Sequence, residues 1–161
     1  MKYKCDYGSP LGKILLASDG EAITGLWFYG QKYFAAGIEP AAEEKNLPVF
    51  LLAKRWLDLY FGGEIPDFMP PLKFFGSDFQ KSVWNELLKI PYGETVSYGD
   101  IAKKSRKPLG CPRAVGGAVG HNPVSIIVPC HRVLGKNGSL TGYAGGTDKK
   151  IKLLELENGH K

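Results

Sequence analysis

The stretch Gly62-Gly63-Glu64-Ile65-Pro66-Asp67-Phe68-Met69-Pro70-Pro71 constrains this chain more than any other segment. Paired glycines end a preceding helix, and the prolines that follow remove backbone donors, so neither a helix nor a central strand can run through it. The spacing therefore predicts a linker, with a lobe boundary near Leu72. A chain of 161 residues divided there holds two small cores, 1–71 and 72–161.

Before the break, apolar and polar residues alternate in Lys2–Tyr7, Gly12–Ser18 and Ala22–Phe28, with turn signals at Gly8-Ser9-Pro10 and Asp19-Gly20. This pattern predicts a three-stranded antiparallel meander. From Pro48 to Phe61, Val49, Leu52, Ala53, Trp56, Leu57 and Tyr60 recur at helical spacing, which predicts a helix covering the sheet.

After the break the signals are mostly helical. Asp78 is placed to cap a helix that buries Phe79, Val83, Trp84, Leu87 and Leu88 and stops at Pro91-Tyr92-Gly93. Ser97-Tyr98-Gly99-Asp100 resembles a capping box with Asp in place of Glu. Pro112 suits the first position of another helix running from Arg113 to about Val119, and His121-Asn122-Pro123 ends it. Short helices on either side of Lys107-Pro108-Leu109-Gly110 make a helix-turn-helix. Val124–Val128 reads as an extended core segment, Asn137-Gly138 as a hairpin turn between Arg132–Gly135 and Ser139–Thr141, and Gly142–Gly146 as a loop. A last helix starts at Thr147, buries Ile151, Leu153 and Leu154, and ends at Asn158-Gly159. The fold class expected is α+β: a small antiparallel sheet with a covering helix, then a mostly helical lobe.

Charge separates the lobes. Residues 1–71 carry 7 Lys/Arg against 9 Asp/Glu, whereas residues 72–161 carry 14 against 7. A basic lobe is the electrostatic footprint of a phosphate-binding surface, although many basic faces are merely solvated. No apolar run approaches the roughly 20 residues of a membrane span, and the start Met1-Lys2-Tyr3-Lys4-Cys5-Asp6 lacks a secretory pattern, so a cytoplasmic location is expected. Cys5, Cys111 and Cys130, with His121, His131 and His160, fit neither a disulfide framework nor a metal clip. Free thiols, no metal and no cofactor are expected.

The sharpest local feature is Pro129-Cys130-His131-Arg132-Val133 at the end of an apolar segment. A thiol becomes a nucleophile when something withdraws its proton, and an adjacent His with cationic neighbours can do that. The alternative is an inert buried Cys beside a surface His-Arg pair. In an extended segment His131 would point away from the sulfur and act only through a water. Cys111, before Pro112 at a helix N-terminus, is a rival reactive thiol on chemistry alone. Cys5 and the tryptophans Trp27, Trp56 and Trp84 read as packing, and His121 as a solvated helix terminus.

Asn122-Pro-Val-Ser-Ile-Ile-Val-Pro-Cys130-His131-Arg132-Val133, followed by Leu140-Thr-Gly-Tyr143-Ala144-Gly145-Gly146, resembles the active-site signature of the O6-alkylguanine-DNA alkyltransferases. Phe79-Gln80-Lys-Ser-Val-Trp84, Ile90-Pro-Tyr-Gly-Glu-Thr-Val-Ser97-Tyr98 and Arg113-Ala-Val-Gly-Gly-Ala118 match the family's helical core and DNA-reading helix, so the likeness runs from about Phe79 to Glu157. Ser9-Pro10-Leu11-Gly12 and Gly25-Leu26-Trp27-Phe28 extend it more weakly into the first lobe.

The resemblance implies direct-reversal repair of O6-alkylguanine in double-stranded DNA, with O4-alkylthymine as a second lesion to consider. Cys130 matches the alkyl acceptor, and His131 with Glu157 the pair that removes the thiol proton through a water, lowering its pKa below that of a free cysteine. Asn122 matches the residue joining the helix-turn-helix to the active-site segment. Arg113 matches the finger that replaces the extruded base, and Tyr98 the side chain that turns the target phosphate and meets the guanine edge. Val133, Tyr143 and Ala144 fall where the family lines its base pocket. Ala114, Gly117 and Ala118 match small residues that let the helix approach the minor groove. A monomer is expected. Lys150-Ile151-Lys152 departs from the family's usual last helix.

Three rival classes make different demands. A noncatalytic alkyltransferase-like damage sensor would lack the acceptor Cys, which Cys130 supplies. A helix-turn-helix regulator would need polar residues along its reading helix, but Arg113 is the only one through Val119. A cysteine hydrolase would leave the arginine helix and the basic lobe without a role.

Overall fold

The computed structural model describes residues 1–104, 112–140 and 143–159. The expected turn Lys107–Gly110, Cys111, Thr141-Gly142 and His160 therefore lie outside the described residues. An α+β fold is observed. Strands β1 (Tyr3–Ser9), β2 (Gly12–Ser18) and β3 (Ile23–Phe28) form the antiparallel meander. Ser9 Oγ donates to Gly12 O across the first turn, and Asp19 Oδ1 accepts from the Glu21 and Ala22 amides at the second. The sheet has four strands rather than three, because β4 (Glu43–Glu44) pairs in parallel with β1. Two residues of glutamate carry no alternation to read.

Both faces of the sheet are covered. Ile14, Leu16, Leu26 and Phe28 belong to the main core, whereas Leu15, Ala17 and Trp27 pack on the other side against Phe34, Ala35 and Ile38. Gly25 makes room for that second layer: a Cβ there would meet the Trp27 ring at 2.1 Å. Helix α1 (Pro48–Phe61) covers the main face with Val49, Phe50, Ala53, Trp56, Leu57 and Tyr60. Leu52, expected inside, is exposed, and Phe50 takes its place in the buried stripe. Gly62 and Gly63 end the helix, Gly63 at φ 86°.

Helix α2 (Asp78–Leu87) is capped one residue earlier than expected. Ser77 accepts from the Gln80 amide and Gln80 answers to the Ser77 amide, a reciprocal box in which Asp78 is the first helical residue. The second box forms as read, with Ser97 N donating to Asp100 and Asp100 N to Ser97 Oγ, both at 3.0 Å. It opens α3 (Tyr98–Lys104), which packs with α2 on α4 (Pro112–Gly120). Trp84 Nε1 donates to Ala118 O at 2.8 Å, fixing α4 against α2. Strand β5 (Val96–Ser97) pairs in parallel with β6 (Val133–Leu134), so β6 does not form the expected hairpin ladder. The turn at Asn137-Gly138 does form, with φ 60° and 77°, and Gly135 N donates to Ser139 O. Helix α5 (Thr147–Asn158) completes the fold. Among the described residues no helix is long and apolar enough to cross a membrane.

The outer edge of β3 anchors both the linker and the segment leading to Cys130. Ile23 bonds Pro71 and Lys73, and further along Leu26 N donates to Pro123 O while Ser125 N donates to Leu26 O. One strand thereby fixes the path of the chain between α1 and α2 and the position of the loop that carries the thiol.

Candidate active site

Cys130 is held by a compact loop rather than an extended segment. Within 124–128, Ile127 N donates to Ser125 O and Val128 N to Val124 O, and Ile126 takes φ 71°. That left-handed conformation is costly for a β-branched residue, on the order of 1–3 kcal/mol, and survives where the surroundings dictate it. The surroundings here are full burial of Ile126 and the side chain of Asn122. Asn122 Nδ2 donates to Val128 O at 2.9 Å, and its Oδ1 accepts from Val124 N at 3.0 Å. The amide thus closes the loop across its mouth. Asn122→Ala would leave the buried Val124 N–H unpaired and take one of two donors from Val128 O, which keeps the Cys130 N–H, so a stability loss of about 1–3 kcal/mol is expected in chemical denaturation. A loss below about 1 kcal/mol would show that the loop is held by packing alone.

Cys130–Arg132 then forms a single 3₁₀ turn. The turn replaces the alternation of a strand, so His131 and Arg132 both face inward and both are buried. They converge on Glu157, which is 1% exposed near the end of α5. Glu157 Oε2 lies 2.6 Å from His131 Nε2, and Arg132 donates Nε to Oε1 at 2.7 Å and Nη2 to Oε2 at 3.1 Å. The Gly93 amide donates to Oε1 at 3.0 Å, and the Tyr60 hydroxyl to Oε2 at 2.6 Å. Burial alone would raise the Glu157 carboxyl, but hydrogen bonds and charge from His131 and Arg132 outweigh it and hold it well below the usual carboxylate range. An ionised carboxylate can only accept, so His131 carries its hydrogen on Nε2. His131 Nδ1, buried and with no protein partner among the described residues, keeps a lone pair for a proton. Burial lowers the imidazole pKa more than Glu157 raises it, so the ring is neutral at pH 7.

The resting thiol is not the acidic one expected from sequence. Burial pushes Cys130 up to about 11, while the Asn122 side chain and the Lys150 charge pull in the opposite direction. Cys130 is therefore a protonated thiol at neutral pH. Lys150 is completely buried and donates to Val133 O at 2.6 Å. Tyr98, which directly follows β5, and Tyr143 are both raised by burial and then by the nearby Cys130. Cys130, His131, Glu157, Asn122, Val133, Tyr98 and Tyr143 thus share one neighbourhood.

Sequence reading missed Tyr60, Lys150 and Arg132 as site residues. The α5 face shows why. Lys150, Leu153 and Glu157 are its buried residues, whereas Ile151 and Leu154 are only half-buried. A search for apolar periodicity skips a stripe in which two of three positions are charged.

Outside this centre, Arg113, Ala114 and Gly117 lie exposed on α4, while Val115, Ala118 and Val119 are buried. Ala118, expected on the outward face, is buried with Val115 and Val119 where α4 packs on α2, its carbonyl accepting from Trp84. A cavity of about 220 Å³ lies beside α4, lined by Gly116, Gly117, Gly120, Tyr143 and Ala144, with Tyr33 stacked on His121 at its rim.

Two family profiles match: the ribonuclease-like domain of 6-O-methylguanine DNA methyltransferase over residues 2–74 and its DNA binding domain over 78–159. A methylated-DNA–protein-cysteine methyltransferase of Methanosarcina acetivorans is 49% identical, covering 96% of this chain and 97% of the relative. One from Haemophilus influenzae is 45% identical over 96% of this chain and 86% of its own length. The crystal structure of Mycobacterium tuberculosis OGT in complex with DNA superposes with a TM-score of 0.87 at 44% identity, covering 98% of this chain and 94% of that one. Sequence likeness across both halves and the shared fold agree: the chain belongs to the 6-O-methylguanine DNA methyltransferase family.

Proposed function

We propose that the chain repairs DNA by moving the alkyl group from O6 of a damaged guanine onto Cys130 Sγ, once per molecule. The observation that carries this reading is the buried thiol beside an imidazole whose Nδ1 lone pair is presented by a fully bonded Glu157. The thiol proton passes through a water to His131, the Sγ–C bond forms as the C–O6 bond breaks, and the guanine left behind takes up the proton. The thioether has no leaving group that water readily displaces, so Cys130 is consumed. Asn122 holds the loop that carries the sulfur, and Val133, Tyr98, Tyr143 and Ala144 receive the base.

An alkylated O6 is inside the duplex, so the nucleotide must be extruded, at a cost of a few kcal/mol. Helices α3 and α4 act as the helix-turn-helix of residues 72–161, with α4 in the minor groove and Arg113 in the gap. Ala114 and Gly117 leave its exposed face bare for close approach. Residues 1–71 form the supporting lobe. The protein works in the cytoplasm as a monomer. Duplex binding should weaken steeply with salt and depend little on sequence, because phosphate contacts release counterions and α4 offers no array to read bases. Titrating the protein with duplex containing O6-methylguanine tests the reading: repair should stop at one lesion per protein, and continued turnover would overturn it.

A further inference from the structure

We propose that Tyr60, on α1 of the first lobe, is a positioning residue of the proton relay: its hydroxyl, donated to Glu157 Oε2, fixes the carboxylate that orients His131 and sets how strongly that imidazole holds a proton. This deepens the reaction proposed above and rests on it. Tyr60 is fully buried, and its ring is clamped by a stack on Trp56 and edge contacts with Phe61, Tyr92 and His131. The hydroxyl cannot swing away from the pair it meets. It lies 2.6 Å from Glu157 Oε2 and 3.3 Å from His131 Nε2. A tyrosine has one hydroxyl hydrogen, and the ionised carboxylate has none. Both Tyr60 and His131 must therefore donate to the same oxygen, and the tautomer follows from that sharing.

The consequence for proton affinity has a sign. Each donor on Oε2 spends some of its negative charge, so removing the tyrosine hydrogen leaves more of it acting on the imidazole. His131 is faced by Glu157 and Lys150 from α5, Arg132 from its own turn, Cys130 beside it and Tyr60 from α1, with the Tyr92 ring against the Tyr60 ring and the Arg132 guanidinium. Glu157 raises the imidazole pKa, whereas burial, Arg132 and Lys150 lower it. Tyr60 works through the one group that raises it. The first lobe thereby reaches the chemistry although it supplies no reacting atom.

The test compares the full-length protein with Tyr60→Phe on duplex containing O6-methylguanine, measuring single-turnover rate from acid to alkaline pH. The acid limb of the rate profile should move up by about one pH unit in the variant. The rate should therefore drop several-fold near pH 6 and much less near pH 8, with duplex affinity unchanged. A uniform slowing at every pH, or no change, would overturn the proposal and leave Tyr60 as a satisfied core hydroxyl. The ¹⁵N-histidine spectrum of the unmodified protein tests the hydrogen-bond assignment without activity or a variant. A hydrogen on Nε2 of His131 is expected, and one on Nδ1 would equally overturn it. Failure of the unmodified protein to transfer any alkyl group would sink the proposed reaction, while the same spectrum, followed against pH in both proteins, still reads whether loss of the Tyr60 hydroxyl makes His131 hold its proton to higher pH.

Discussion

Glu157→Gln is expected to lower stability by about 3–5 kcal/mol and to slow alkyl transfer by on the order of 10²-fold. The carboxylate is the single anion among a buried guanidinium, an imidazole, a phenol and a backbone amide. Glutamine keeps the shape but removes the charge, which leaves Arg132 uncompensated, and it turns an N–H toward one of the groups that now donates. Truncating one partner of a buried pair is costly for this reason, even where the pair itself is worth little. The pH dependence has a definite direction. Because the folded-state carboxyl lies well below its unfolded value of about 4.3, its contribution is full above that pH and disappears as pH falls below it. Thermal unfolding of the unmodified protein should therefore lose stability below about pH 5, and the variant should show a flatter acid limb. Parallel curves would mean that Glu157 carries no net stabilising charge interaction.

Arg113→Ala should separate base extrusion from chemistry. Arg113 is exposed on α4, whereas Cys130, His131 and Glu157 are buried. If it fills the space of the extruded nucleotide, its loss returns part of a cost of a few kcal/mol to the duplex reaction, or roughly 10²-fold in rate. Free O6-benzylguanine needs no extrusion, so its reaction with Cys130 should change little. Nonspecific duplex affinity should fall by no more than one phosphate contact is worth. Equal slowing on the free base and the duplex would assign Arg113 a different task.

Much of this architecture is legible in the sequence. Strands β1 to β3, the break at Gly62 and the last helix fall within a residue or two of where alternation, glycines and caps put them. The departures have separate physical causes. β4 is too short to carry a pattern, and Ser77 outcompetes Asp78 because its neighbour three residues on is Gln80, which can answer the bond. Val124–Val128 resembles a strand in its β-branched content. The side chain of Asn122 supplies bonds that a strand partner would have supplied, which lets Ile126 turn left-handed.

The site is legible in outline and not in its connections. The Cys-His-Arg run marks the place, and family resemblance points to Glu157. Nothing in the spacing shows that a 3₁₀ turn brings both His131 and Arg132 onto that carboxylate, because the turn is imposed by the loop before it. Tyr60 reads as core, and it is core; its place in the site comes only from the hydrogen bond that joins it to Glu157, 97 residues further along the chain. An acidic thiol is the expectation from sequence, and burial makes it the reverse.

The central claim is that Cys130 receives the alkyl group. Incubating the protein with duplex containing O6-methylguanine, digesting it and weighing the peptides tests this directly. One methyl group on the peptide carrying Cys130, with the peptides of Cys5 and Cys111 unmodified, is the result this structure predicts. Methyl on Cys111, or repaired DNA with every cysteine unmodified, would contradict it.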